Sequence, residues 1–316
     1  MEGVCAMTDN FDEDHGPAMN TLVAENLLRF RAIFIPYPRH ITLHARFDYL
    51  QKLGCSLRGT PQKGLRVLAP SGSGKTKVAS TYIKMAMASM DPSSQLVPVL
   101  YIQLEKAATA RKLYVSLLAE MGDARPESGT EQGLKQRVLD YLERLGVELL
   151  IIDEVQHLNF RINAQNDVTD ALKVFLDAGV VPIVFLGTQE AESMFRRNVQ
   201  LSNRLLPPCD LLPLDKNDPA DRKTLAKFVS HLNREIVKVG LMPTIGSLDD
   251  AITLSCLYEA SGGVIGRVAT LFEHALEIAT RRGASRIETY DLALAVDRWA
   301  IPLGLVSINP FRRRPC

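Results

Sequence analysis

The sequence predicts an α/β fold: a five-stranded parallel sheet with crossover helices, preceded by a basic segment and followed by a small all-helical domain. Three observations predict it. Apolar runs of strand length alternate with stretches of helical period through the middle of the chain. A glycine-rich loop, Ala69-Pro-Ser-Gly-Ser-Gly-Lys-Thr76, separates the first of these runs from a helix. Beyond Pro213 the strand pattern stops, and every apolar stripe has helical spacing.

Taken in order, residues 1–21 read as an acidic, flexible leader. Glu2, Asp9, Asp12, Glu13 and Asp14 fall in it with no Lys or Arg among the first twenty residues. The N-terminus lacks the basic-then-apolar layout of a secretory signal. Residues 22–63 form a basic segment, with Arg29, Arg31, Arg39, Arg46, Lys52, Arg58 and Lys63 against Glu25 and Asp48. It is helical in parts and broken at Pro36 and Pro38, with a short linker from Arg58 to Lys63. The core, 64–215, holds five strand-length runs: Leu65 to Ala69, Val97 to Leu104, Val147 to Ile152, Val180 to Leu186, and a weaker one from Cys209 to Leu214. Between them Leu113, Leu117 and Met121 recur at four, as do Leu134, Val138 and Leu142, so each set lies on one helix face that can bury against a sheet.

Residues 216–299 form the helical domain. Asp218 and Pro219 supply an N-cap and a first-turn proline, and Leu225, Val229, Leu232 and Ile236 form the stripe that follows. Ser247 with Asp250 resembles a capping box. Val268, Leu271, Ala275 and Ile278 mark a third helix; Leu292, Val296 and Trp299 mark a fourth. Residues 300–316, with Arg312, Arg313 and Arg314, read as a basic tail.

Composition excludes several classes. Hydrophobic residues make up 46% and charged residues 23%, so the chain is neither disordered nor fibrous. The longest apolar stretch, Gly179 to Leu186, falls short of the ~20 residues a bilayer requires, and a cytoplasmic protein is expected. Cys5, Cys55, Cys209, Cys256 and Cys316 have no metal-ligand spacing and read as reduced, mostly buried thiols. The whole chain is near neutral, at +1. Beyond residue 20 it carries 37 basic against 31 acidic residues, which suits either a polyanion partner or a solvated basic surface.

The glycine-rich loop is the strongest chemical signal. Pro70, Ser71, Gly72, Ser73 and Gly74 form a turn whose backbone N–H groups can point at phosphates; Gly72 and Gly74 give the backbone its freedom. Lys75 supplies a point charge to the β and γ oxygens, and Thr76 a hydroxyl to Mg²⁺. Ala69 stands where such loops usually begin with glycine. If that position needs a positive φ, alanine costs about 1 kcal/mol or more.

The second signal is Val147-Glu-Leu-Leu-Ile-Ile-Asp153-Glu154, a buried strand ending in paired acids. Asp153 would hold Mg²⁺ through water, and Glu154 would orient and deprotonate an attacking water. Such a pair can also merely cap the next helix. With the phosphate loop upstream and a strand between the motifs in sequence, the arrangement favours hydrolytic ATPases over nucleoside kinases and small GTPases, and no guanine-reading motif is present. Thr188, after Gly187 at the end of the fourth strand, can touch the γ-phosphate or the water. Arg204, ahead of the fifth strand, is placed for a finger reaching a neighbour's nucleotide. Arg267, at the start of a helix in Gly262-Gly-Val-Ile-Gly-Arg267, can fold back to the phosphates. Any one of these arginines could equally be a surface charge.

With these residues in hand, the chain resembles the AAA+ ATPases and, more closely, the TniB/TnsC family of transposition regulators, over about Leu27 to Trp299. The general part of the likeness is the phosphate loop, the acidic pair, the Gly187-Thr188 sensor, Arg204 as finger and Arg267 as second sensor. The more specific part is Phe34-Ile-Pro-Tyr-Pro-Arg39, Asp153-Glu-Val-Gln-His-Leu158 and Gln200-Leu-Ser-Asn-Arg-Leu205. The resemblance implies an AAA+ core with a helical lid that uses ATP and Mg²⁺ and assembles as a ring or filament on duplex DNA. It also implies marking of target sites for a DDE transposase, often with a TniQ-type partner. In such an assembly Lys106, Arg111, Lys112, Arg125 and Arg161 are candidate DNA contacts, without base-reading chemistry; they could also be solvated loop charges. A helicase loader or replication initiator would share the ATPase parts but usually adds a separate DNA-reading module. A non-hydrolysing nucleotide switch has no need of Glu154. A metabolic phosphotransferase lacks a legible second-substrate pocket.

Overall fold

The computed structural model describes residues 16–91, 93–105, 109–158 and 168–313. Among these the chain divides into two units. One runs from Pro36 to Asp215 and takes in Val264–Gly266; the other comprises the chain up to Ile35, Lys216–Gly263 and the chain from Arg267 onward. The basic N-terminal segment is therefore shared. Its first helix, α1 (Pro17–Ala32), starts inside the expected leader, where Pro17 opens it, and belongs to the helical unit; its second, α2 (Pro38–Ser56), belongs to the α/β unit. Pro38 opens α2 in the first turn, where the N–H has no intrahelical partner to lose.

The α/β unit continues through β1 (Gly64–Leu68), α3 (Lys75–Ala88), β2 (Val99–Gln103), α4 (Ala110–Glu120), α5 (Glu131–Arg144) and β3 (Leu149–Asp153). It ends with α6 (Val168–Asp177), β4 (Ile183–Gly187), α7 (Glu192–Arg197) and α8 (Val199–Ser202). The strands are all parallel, in the order β1-β4-β3-β2. Strands buried on both faces read as unbroken apolar runs rather than alternating ones, and every residue of β3 and β4 is buried. The two stripes on α4 and α5 are buried as their spacing predicts, with Leu113, Leu117, Leu134, Val138 and Leu142 fully out of solvent.

The sheet has four strands among the described residues, not the five expected. The segment from Arg204 to Leu211 does run beside β1, and its N–H groups at Leu206, Cys209 and Leu211 donate to the carbonyls of Gly64, Arg66 and Leu68. Strand pairing advances by two residues on both sides, whereas here Leu206 is followed by Cys209. The extra residue falls at Pro207-Pro208, which have no N–H to give. Asp210 then replaces a backbone acceptor with its side chain: Oδ1 accepts from Leu68 N at 2.8 Å, and Oδ2 from Arg66 Nη2 at 2.9 Å. One isolated bridge, Gly64 to Leu205, is what remains of a fifth strand.

The helical unit adds α9 (Pro219–Lys238), α10 (Ala251–Ser261), α11 (Ile265–Arg281) and α12 (Thr289–Ala295), which runs on into a π turn, Val296–Ala300. Asp218 caps α9 through Ala220 N, as expected. For α10 the cap is Asp250 itself, accepting from Ile252 N and Thr253 N at 3.0 Å, so the expected box from Ser247 is not formed. A capping box does occur on α12, between Glu288 and Asp291. α1 is tied into this unit by Arg29 donating to Val239 O, by Arg31 to Glu273 at 2.7 Å, and by Arg281 to Asn20 Oδ1 at 3.0 Å. No helix among the described residues is long and apolar enough to cross a membrane.

In α2, His40 is buried and stacks on Tyr37 with ring centroids 4.0 Å apart. Burial, and then the proximity of His44, push its pKa down to about 3. An unfolded chain takes up that proton near pH 6.5, while the fold holds His40 neutral. The stability it contributes is thus complete above pH 6.5 and is lost as the pH falls from there towards 3, at a slope approaching about 1.4 kcal/mol per pH unit. Thermal melts at pH 7 and pH 5 should show a drop in the parent chain that is much smaller in His40→Leu. Equal drops in both would contradict this account.

Candidate functional site

In a parallel sheet the loops after the carboxyl ends of the strands gather on one edge, and the site is built there from β1, β3 and β4. The phosphate loop leaves β1 at Leu68. Ala69 N donates to Gly187 O of β4 at 3.0 Å, which pins the loop to the neighbouring strand. Gly72 and Gly74 take φ of 76° and 88°, in the left-handed region. Ala69 does not: among the described residues the only non-glycine with positive φ is Glu154, so alanine at the head of the loop carries no backbone penalty. Gly74 is the N-cap of α3 and has no side chain to cap it, so the first-turn N–H groups are not satisfied by a cap.

Lys75 and Thr76 begin α3. Lys75 is buried, and its Nζ donates to Ala69 O at 3.2 Å and Pro70 O at 3.4 Å. Burial lowers its pKa, and the negative charges of Asp153 and Glu154 pull it back up. Ser73 Oγ is buried with no hydrogen-bond partner.

Asp153 ends β3 at 1% exposure and is where the loop and the acids meet. Its Oδ2 accepts from Thr76 Oγ1 at 2.8 Å and from Tyr101 OH of β2 at 3.0 Å; its Oδ1 accepts from Glu154 N at 2.7 Å. Burial first, and then the Asp153 charge, raise the pKa of Tyr101, so the phenol stays a donor. Glu154 follows in the left-handed region, φ 59° and ψ 39°, rather than continuing the strand or starting a helix. Its carboxylate accepts from Gln156 Nε2, and Thr188 N donates to Gln156 Oε1 at 3.0 Å. Thr188 Oγ1 is buried with no hydrogen-bond partner.

The loop, Lys75, Thr76, Asp153, Glu154 and Thr188 thus come together. Arg204 lies apart from them in its bonding: Nε and Nη2 donate to the two carboxylate oxygens of Asp177 at 2.6 and 2.9 Å, and Nη1 to Gln200 O at 2.6 Å. In the helical unit, Arg267 Nη1 donates to Ser261 O at 3.3 Å, and burial lowers its pKa. Tyr101, Gln156 and Asp177 were not anticipated. Tyr101 is the one ring in β2, and Gln156 stands two residues past the acidic pair; those are the available signals.

Several basic residues offered for a polyanion have work inside the fold. Arg29 and Arg31 tie α1 into the helical unit. Arg39 donates to Leu212 O and, at 3.1 Å, to Pro213 O, Lys52 pairs with Asp48 at 2.7 Å, and Arg58 donates to Val147 O at 3.1 Å. Arg111 braces the loop after α4 by donating to Glu127 O at 2.6 Å and Gly129 O at 2.9 Å. Lys112 and Arg125 are exposed, while Lys106 and Arg161 lie outside the described residues. The expectation of mostly buried thiols is corrected among the described cysteines: Cys55 is exposed and Cys209 and Cys256 are half-buried, all three free. Cys5 and Cys316 lie outside the described residues.

The family model for bacterial TniB proteins matches residues 30–209, more than half of the chain. The protein belongs to the TniB family. The match spans the phosphate loop, the acidic pair, Thr188 and Arg204. No curated protein matches the sequence. Among solved structures, this TniB-family chain is similar to Cdc6p of Pyrobaculum aerophilum at 14% identity and TM-score 0.61, covering 85% of this chain and 70% of that one. It is similar to the ORC1 protein of Aeropyrum pernix in complex with DNA at 19% identity and TM-score 0.59, over 86% and 68% of the two chains. Drosophila ORC bound to DNA gives 17% identity and TM-score 0.55, over 97% and 71%. At these identities the likeness establishes the fold alone, the one these Cdc6p and ORC chains share.

The bidentate Arg204–Asp177 pair is partly exposed, at 27% and 36% of the side chains, so solvent screens it. A double-mutant cycle of Arg204→Gln and Asp177→Asn, read by denaturant unfolding, should give a coupling of about 0.5–1 kcal/mol. Strictly additive losses would mean that the pair is not formed in solution.

Proposed function

We propose that this TniB-family protein binds ATP with Mg²⁺, hydrolyses it slowly, and assembles on duplex DNA as a ring or filament that regulates target-site selection for a DDE transposase. A TniQ-type protein is the further partner, and the cytosol or nucleoid the setting. The observation that carries the ATPase reading is the 2.8 Å contact of Thr76 Oγ1 with Asp153 Oδ2. It joins the hydroxyl of a phosphate loop to the carboxylate ending a buried strand, the two side-chain oxygens that a nucleotide-bound Mg²⁺ requires. The residues fit the nucleotide: uncapped N–H groups at α3, a buried ammonium held only by carbonyls, and unpartnered hydroxyls on Ser73 and Thr188.

The chemistry follows from these groups. The N–H groups of the loop and of the first turn of α3 bind phosphate oxygens, where the helix dipole favours negative charge. Lys75 exchanges the carbonyls of Ala69 and Pro70 for β and γ oxygens. Thr76, and Asp153 through water, would hold Mg²⁺, which would supply positive charge to offset that of the phosphates. Glu154 takes the proton of the attacking water as its oxygen bonds the γ-phosphorus, and the bond to the β–γ bridging oxygen breaks to release ADP. Thr188 holds the γ-phosphate or the water with its hydroxyl. Arg204 completes a neighbour's site by exchanging Asp177 for phosphate oxygens, and Arg267 serves as second sensor.

For DNA, the support is family membership and the likeness to two DNA-bound ORC proteins. That likeness also suits a replication-initiator role, the second reading. An ATP-dependent assembly multiplies a few weak phosphate interactions per subunit, so no strongly basic chain is needed. Lys112 and Arg125 are the described candidates, with Lys106 and Arg161 beyond the described residues. Arg111 is the weaker candidate because its guanidinium already braces a loop.

ATP turnover with and without duplex DNA tests the reading in one assay. Lys75→Ala should lose nucleotide affinity, and Glu154→Gln should keep it while turnover falls about 10²–10⁴-fold. DNA binding should require ATP and tolerate any sequence, with the log–log salt slope falling by about 0.9 for each phosphate interaction that Lys112→Ala or Arg125→Ala removes. Parental turnover in Glu154→Gln, or DNA binding indifferent to ATP, would refute it.

A further inference from the structure

Past the acidic pair the backbone does something that neither a strand nor a helix requires. Glu154 is held in the left-handed region, a strained conformation for a non-glycine residue that persists only where its surroundings impose it. Three hydrogen bonds impose it. Glu154 N donates to Asp153 Oδ1 at 2.7 Å, the Glu154 carboxylate accepts from Gln156 Nε2, and Leu104 O accepts from the Nδ1–H of His157 at 3.1 Å. Val155–His157 form the single tight turn that results.

The amide of Gln156 can be oriented in one way only. A carboxylate offers no proton and a peptide N–H accepts none, so Nε2 must face Glu154 and Oε1 must face Thr188 N, at 3.0 Å. The turn is also packed tightly against the end of β4. A Cβ at Gly187 would lie 2.7 Å from Val155 Cγ2, closer than Cβ atoms approach, and 3.0 Å from Gln156 Oε1, so a larger residue there would push on the turn and on the amide. The next residue, Thr188, carries the buried hydroxyl that has no partner. One side chain therefore bridges the end of β3, with the carboxylate, to the end of β4, with the unsatisfied hydroxyl.

We infer that Gln156 is a positioning residue for hydrolysis: it fixes the direction of the Glu154 carboxylate and ties it to the peptide of Thr188, so that the base and the phosphate-sensing strand end move as one body. The inference rests on Glu154 acting as the base. Gln156 itself touches no reacting atom. Its donated hydrogen bond fixes the direction of the carboxylate that accepts the water's proton, and its accepted one keeps that carboxylate in register with β4. A change in the position of Thr188 on meeting a γ-phosphate is passed to Glu154 through one rigid amide rather than through the sheet.

The test uses the full chain with ATP, Mg²⁺ and duplex DNA. Gln156→Glu keeps the shape and still accepts from Thr188 N, but it loses the donor and sets a second carboxylate against the first. We expect kcat to fall about 10–100-fold, a share of the 10²–10⁴-fold that a general base supplies. The KM for ATP and the affinity for a non-hydrolysable ATP analogue should stay within about twofold. Gln156→Glu should add nothing to the loss in Glu154→Gln. Gln156→Met, of similar length and without either hydrogen bond, should show the same split between kcat and KM, and it decides the matter if Gln156→Glu melts early. A parental kcat in Gln156→Glu while Glu154→Gln is stalled overturns the inference and leaves the ATPase reading standing. A loss shared equally by analogue binding and thermal stability also overturns it, since that is what a structural residue would give. Full turnover in Glu154→Gln removes the base and the inference together.

Discussion

The site depends on one buried carboxylate. Asp153 sits almost without solvent at the end of β3, where an unpaired charge would cost several kcal/mol. It is tolerated because a hydroxyl, a phenol and a peptide N–H converge on it from α3, β2 and its own chain. Each donor is aimed by a larger element. Thr76 is fixed because the loop's left-handed glycines deliver the chain into α3, and Tyr101 because β2 pairs in parallel register with β3. Breaking the order of strands would leave the charge unpaired, so the sheet and the site specify each other.

The same arrangement explains how Lys75 can be buried beside two acids. Desolvation weakens its charge, and Asp153 and Glu154 restore it. The ammonium's own hydrogen bonds are to carbonyls, partners that a phosphate displaces at little cost. The N-terminus of α3, uncapped at Gly74, adds donors of the same sign. The result is a concentrated positive lining next to a ready pair of acids, and a polyphosphate carrying a divalent cation satisfies both at once.

Much of this was legible in the sequence because it depends on local chemistry. The glycine-rich loop, the apolar run ending at Asp153-Glu154, the stripes on α4 and α5 and the Asp218-Pro219 helix start each follow from spacing and residue type. What was not legible depends on partners distant in sequence. Nothing near Arg204 announces Asp177, 27 residues earlier, and nothing in an acidic doublet names Tyr101 as the third donor. The fifth strand failed for a readable reason, since Pro207-Pro208 cannot donate and force the segment out of step with β1. α1 is tied to the helical unit by an ion pair to Glu273 and hydrogen bonds to Val239 and Arg281, more than two hundred residues away. The cap of α10 passed from Ser247 to Asp250 because Asp250 alone meets two first-turn N–H groups.

The central claim is that Thr76 and Asp153 act together on a metal-bound nucleotide, and the most direct measurement is ATP affinity with and without Mg²⁺ in Thr76→Ala, Asp153→Asn and the double variant. The account predicts that each single change removes most of the gain in affinity that Mg²⁺ confers, with little effect in its absence, and that the double variant loses scarcely more than either one. Losses that are the same with and without Mg²⁺, or that add in full, would contradict it.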